Sequence, residues 1–96
     1  MSTPLTADSR PRLVVHARLQ HDAVRDRWVV QAPERLFVLD EIAYAVVSRC
    51  GNGLSVAEIA AALSAEFDAP VDEILGDVLA LLQDLADKGI VHDHPA

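Results

Sequence analysis

The chain has one cysteine, one lysine, four aromatic residues and no long apolar run, and each shortage removes a class of function. A lone Cys50 excludes an internal disulfide and fits a reducing cytosol. As a small apolar residue near a helix end it needs no further role. No uninterrupted apolar stretch approaches the ~18 residues of a membrane span. The N-terminus, Met1 to Arg10, lacks a basic start followed by an apolar stretch, so no secretion signal is expected and the cytoplasm is the expected compartment. A glycine-rich phosphate loop, a nucleophile motif and a cysteine pair are all missing. His92-x-His94 offers only two ligands on a segment expected to fray, a poor metal site. Asp84 and Asp87 lie one helical turn apart, without the cleft that shifts the pKa of a catalytic pair. Neither an enzyme nor a resident cofactor or metal is expected.

What is present is a single 96-residue domain's worth of chain, half of it hydrophobic and almost entirely aliphatic. Its charge is segregated. Residues 1–50 hold seven arginines against six acids, a balance of +1, whereas residues 51–96 hold Lys88 against nine acids, a balance of −8. Nucleic-acid binding draws most of its affinity from Lys and Arg neutralising phosphates, and a helical half of this charge repels that polymer. Solvated helix faces explain the acids equally well.

Residues 1–11 are polar and proline-bearing and suggest a flexible tail, with one domain over residues 12–96. Arg18–Asp22 and Arg27–Ala32 suggest two strands joined by the short turn Ala23 to Asp26. In the second, Trp28, Val30 and Ala32 share a face. Ala32-Pro33-Glu34-Arg35 forms the next turn, and a third strand covers Leu36 to Val38 or Leu39. The first helix starts at its cap Asp40 and stops at Gly51, with Ile42, Val46 and Cys50 as its expected buried stripe. Ser55 and Glu58 form a capping box for the second, whose Val56, Ile59, Ala60, Leu63 and Phe67 repeat at helical spacing up to the breaker Asp68-Ala69-Pro70. The third runs from about Val71 to Lys88 and ends at Gly89. The predicted order is strand-strand-strand-helix-helix-helix (βββααα): an α+β, winged helix-turn-helix-like domain with a three-stranded antiparallel sheet.

The third helix carries two adjacent apolar stripes, Val71/Ile74/Val78/Leu81/Leu85 and Leu75/Leu79/Leu82/Ala86. Together they span about 160°, against the ~100° needed to pack on one surface. Either the first helix covers the surplus or something outside the chain does. The third strand is apolar on both faces, as a sandwiched strand would be. If it is instead an edge beside the third helix, it offers unpaired backbone to a visiting strand. A winged-helix DNA regulator and a homodimer through the open edge are the competing readings.

Trp28-Val-Val-Gln-Ala-Pro-Glu-Arg35, Leu39-Asp-Glu-Ile-Ala43, Ser55-Val-Ala-Glu-Ile-Ala60 and Asp84-Leu-Ala-Asp-Lys-Gly-Ile90 resemble, in this order, the PqqD family of pyrroloquinoline quinone biosynthesis. The match covers roughly residues 10 to 92. It implies a peptide chaperone that binds the precursor peptide PqqA and presents it to PqqE, a radical S-adenosylmethionine enzyme joining a Glu and a Tyr side chain of the precursor. It also implies the leader-recognition fold of other modified-peptide pathways, in which the leader adds beside the third strand and lies against the third helix. Carried onto this chain, the peptide site is Leu36, Phe37, Val38 and Leu39 with Leu75, Leu79 and Leu82, rimmed by the acids of the third helix. Arg25, Arg27 and Arg35 are the candidate surface for the enzyme. Some members are fused to a pathway enzyme; this chain is expected to be freestanding, with no nucleic-acid or membrane partner.

Overall fold

The structure, a computed structural model, describes residues 4–93. His94 of the histidine pair and residues 1–3 of the expected tail lie outside the described residues. Eight elements follow in order: β1 (Pro11–Leu13), β2 (Arg18–Asp22), β3 (Arg27–Ala32), β4 (Arg35–Leu39), α1 (Glu41–Val47), α2 (Val56–Phe67), α3 (Val71–Asp87) and β5 (Val91–Asp93). Strands β2-β3-β4 form an antiparallel meander, followed by the three helices, which is the expected α+β arrangement. Strands β1 and β5 form a second, two-stranded sheet, with Pro11 opposite Asp93. Three-residue strands carry too little alternation to be seen in a sequence.

Local chemistry sets the boundaries. The Asp40 carboxylate accepts from the Ala43 amide at 2.7 Å and starts α1. Ser55 and Glu58 close a reciprocal capping box on α2. Asp68, in left-handed backbone at φ 50°, ends it. The end of α3 is a Schellman motif: the Ile90 amide donates to the Leu85 carbonyl and that of Gly89 (φ 76°) to Ala86. Ile90 and Leu85, which this motif brings together, are both buried.

Two expectations about the helices change. Helix α1 stops at Val47, before Gly51, and its buried side chains are Ala43, Ala45, Val46 and Val47. Ile42, expected in the core, is 43% exposed. The segment before β1, expected to be loose, is tied from Leu5 onward. The Leu5 amide donates to Gln83 Oε1 at 2.8 Å, while the carbonyls of Ala7 and Ser9 accept from the Ala57 and Val56 amides, orphan donors of α2's first turn. Ser9 is buried. The core proper joins Val30 and Leu39 of the sheet to Val46, Val56, Ile59, Leu63, Val78, Leu82 and Ile90.

Candidate functional site: an open strand edge and its groove

Strand β4 is the last of its sheet, so one margin of it has no strand partner among the described residues. Register decides which backbone groups face that margin. Ala32 and Arg35 are paired across a turn of only Pro33 and Glu34, too short for any inner pair. They therefore exchange both hydrogen bonds, and by antiparallel alternation so do Val30–Phe37 and Trp28–Leu39. Leu36 and Val38 turn their N–H and C=O groups outward. Two donors and two acceptors thus stand free along the edge, and β4 is not sandwiched. The opposite edge, β2, is far more polar: Arg-Leu-Gln-His-Asp.

The faces of β4 follow the same period. Phe37 and Leu39 lie on the face of their partners Val30 and Trp28, toward the helices, where the Trp28 ring stacks on Tyr44 of α1 with centroids 4.5 Å apart. Leu36 and Val38 lie on the outer face, 50% and 55% exposed. Because α1 begins directly after β4, its first turn borders the edge. There a cavity of about 190 Å³ opens between Asp40, Ile42 and Val46 on one side and Asp77, Val78 and Leu81 of α3 on the other. It is smaller than the ~300–1,000 Å³ of small-molecule sites and suits single side chains. Its walls are aliphatic and its two polar groups are both carboxylates.

The residues expected at the peptide site separate. Leu36, Phe37 and Val38 lie along the open edge. Leu39 (8% exposed) and Leu82 (0%) are core residues, which corrects their assignment to a contact surface. Leu75 and Leu79 are half-buried, but at ~100° per residue they lie about 120° and 160° around α3 from Leu81. The cavity belongs to the other stripe, with Val78 and Leu81 in its wall and Asp77 at its margin. Two equivalent-looking stripes in the sequence do not reveal which one α1 leaves partly uncovered. The exposure of Ile42 is hidden in the sequence, because its helical spacing from Val46 resembles a core position.

The three arginines do not form one surface. Arg27 Nε meets Asp22 Oδ2 at 3.2 Å and Arg25 approaches the same oxygen at 3.6 Å, both by the β2–β3 turn. Desolvation pushes the Asp22 carboxyl up, but the hydrogen bonds from the Arg25 backbone and the Arg27 side chain and the charge of both guanidiniums together outweigh it and hold the carboxyl below the usual range. Arg35 stands at the other end of β3, roughly five residues or ~17 Å away and on the opposite face, with its guanidinium 5.6 Å from the Phe37 ring centroid.

The sequence profile of the family described as coenzyme PQQ synthesis protein D (PqqD) matches residues 27–91. A PqqA binding protein of Bradyrhizobium diazoefficiens is 48% identical over 83 residues, covering 86% of this chain and 81% of that protein. The solution structure of the PqqD truncation of Methylobacterium extorquens PqqCD, described as a functional, stand-alone recognition element for ribosomally synthesised and post-translationally modified peptides, superposes with a TM-score of 0.80. It is 36% identical and covers 92% of this chain and 94% of that one. The crystal structure of PqqD from Xanthomonas campestris is 47% identical, with a TM-score of 0.56, 88% of this chain covered and 94% of that one.

Proposed function

The chain belongs to the PqqD family, and from that premise we propose that it is a non-catalytic adaptor that binds a PqqA precursor peptide as a strand added to β4 and presents it to the radical S-adenosylmethionine enzyme PqqE. The observation that carries the reading is the free margin of β4, with the outward amides and carbonyls of Leu36 and Val38 beside an aliphatic groove. Relatives named as PqqA binding proteins support the same occupant. An added strand would alternate its side chains, every second one turning toward Ile42 and Leu81 and the others lying beside Leu36 and Val38.

The magnitudes suit a carrier. Four edge hydrogen bonds at ~0.5–1.5 kcal/mol net contribute ~2–6 kcal/mol. Two apolar side chains entering the groove add ~3–6 kcal/mol. Ordering a flexible peptide costs ~2–5 kcal/mol or more. The balance corresponds to micromolar or somewhat tighter affinity. The adaptor then raises the enzyme's local substrate concentration and forms no bonds itself.

The test is an amide NMR titration of the full chain with the precursor peptide. Shifts clustered at Leu36, Val38, Ile42 and Leu81 are expected. Unshifted spectra at high peptide concentration, or shifts confined to β2, would refute the proposal.

A further inference from the structure

The groove has a charge signature that the aliphatic contacts do not use. Asp40 and Asp77 stand on opposite walls of the cavity, and neither has an ion-pair partner among the described residues. One Asp40 oxygen is committed to the Ala43 amide. The Asp77 side chain makes no hydrogen bond among the described residues. Glu73, one turn earlier on the same flank of α3, is exposed and also lacks an ion-pair partner. The nearest cation along this flank, Lys88, is engaged by Asp84 at 2.6 Å. Arg10, Arg25, Arg27 and Arg49 are held by Glu58, Asp22 and Glu66, none of them groove residues, and Arg12, Arg18 and Arg35 pair with neither groove carboxylate.

An extended chain on the β4 edge must pass this rim. Its inward side chains meet Ile42 and Leu81 over the buried floor of Val46 and Val78, with carboxylates on both sides. A glutamate or aspartate at the inward position would face two like charges. A branched aliphatic residue followed by a lysine or arginine would fill the floor and neutralise the rim. We infer that the site selects strand-forming segments that present an aliphatic and a cationic side chain together, with Asp77 as the main anchor of the cation and Asp40 its partner. This rests on the strand-addition reading and adds a sequence preference to it. The −8 balance of residues 51–96 would steer such a segment toward the groove before contact.

The experiment uses the full chain and the precursor peptide labelled with a fluorophore, followed by anisotropy. Alongside it runs a version of the peptide with every Lys and Arg replaced by Gln, and both are titrated into wild type and Asp77→Asn. The expected result is a loss of about two- to fivefold for the neutral peptide on wild type, the scale of one exposed ion pair, and little or no loss on Asp77→Asn. The native peptide on wild type should also weaken between ~0.1 M and ~1 M salt, as the Debye length falls from ~10 to ~3 Å. Equal affinity of the two peptides for wild type, or an equal loss on both proteins, would overturn the inference while leaving strand addition standing. A native peptide that binds neither protein would overturn the strand-addition reading as well.

Discussion

Proline placed at two neighbouring positions of β4 should have opposite consequences. By register, the Phe37 amide donates into the sheet toward Val30, whereas that of Val38 points away from it. Phe37→Pro removes a ladder bond of ~0.5–1.5 kcal/mol and leaves a carbonyl on fully buried Val30 without its donor, a further ~1–3 kcal/mol. Against a typical total of ~5–15 kcal/mol, that is a severe loss. Val38→Pro touches no internal bond, and edge strands tolerate proline. Its cost falls on the visitor, which loses one bond outright and meets a ring where the donor stood. Disruption of the neighbouring pairs puts the expected weakening at about tenfold or more, from the ~2–6 kcal/mol that the four bonds supply. Circular-dichroism melts of both variants and anisotropy with labelled PqqA peptide measure the two effects. If folded Val38→Pro retained wild-type affinity, strand addition at β4 would be wrong. If it melted as early as Phe37→Pro, the deduced register would be wrong.

Three further outcomes follow from burial and charge. Leu82→Ala should destabilise by ~2–5 kcal/mol, since Leu82 is fully enclosed, lowering the melting temperature by about 10 °C or more; Leu81→Ser should spare more stability but weaken peptide binding, and the reverse pattern would move the groove to the other stripe. The Glu58 carboxyl is held below its ordinary value of 4.5 by the Ser55 amide and hydroxyl, against an opposing desolvation and with further help from the Arg10 charge. A depressed folded value means its stabilisation is present above that pH and lost as pH falls through the folded value. Thermal melts of wild type should therefore drop more steeply between pH ~5 and ~3 than those of Glu58→Gln, and parallel profiles would contradict this. Burial pushes the Cys50 thiol up to about 12, so a thiol-disulfide reagent at pH ~8 should label the native protein far more slowly than the urea-unfolded chain; equal rates would show the site to be open.

Elements governed by local chemistry were legible in the sequence. The Asp40 cap, the Ser55–Glu58 box, the Gly89 stop and the turn at Pro33 each depend on residues within one turn of one another. Relations between distant segments were not. Nothing near Pro11 announces Asp93, and nothing near Leu5 announces Gln83. The same limit divided the site. Leu36 and Val38 were legible as part of an apolar strand, a local feature, whereas its place at the edge rather than inside the sheet was left open by the sequence. Ile42 and Leu81 were assigned otherwise, because the exposure of a helix face depends on how far α1 and α3 stand apart. Both expected apolar stripes are present on α3; the cavity beside α1 is lined from the one that holds Val78 and Leu81, while Leu75 and Leu79 lie half-buried on the other.

The pairing of Pro11 with Asp93 brings the two ends of the fold within one inter-strand spacing, ~4.5–5.5 Å between opposed Cα atoms. The backbone is thereby almost a ring. A short linker from Asp93 to the chain ahead of Leu5, which borders the same cavity as Asp93, with new termini cut at the β2–β3 turn where Val24 is 91% exposed, would reorder the gene while keeping β3, β4 and the three helices in one unbroken run. Such a circularly permuted protein should retain the open β4 edge, since the cut removes no residue from it.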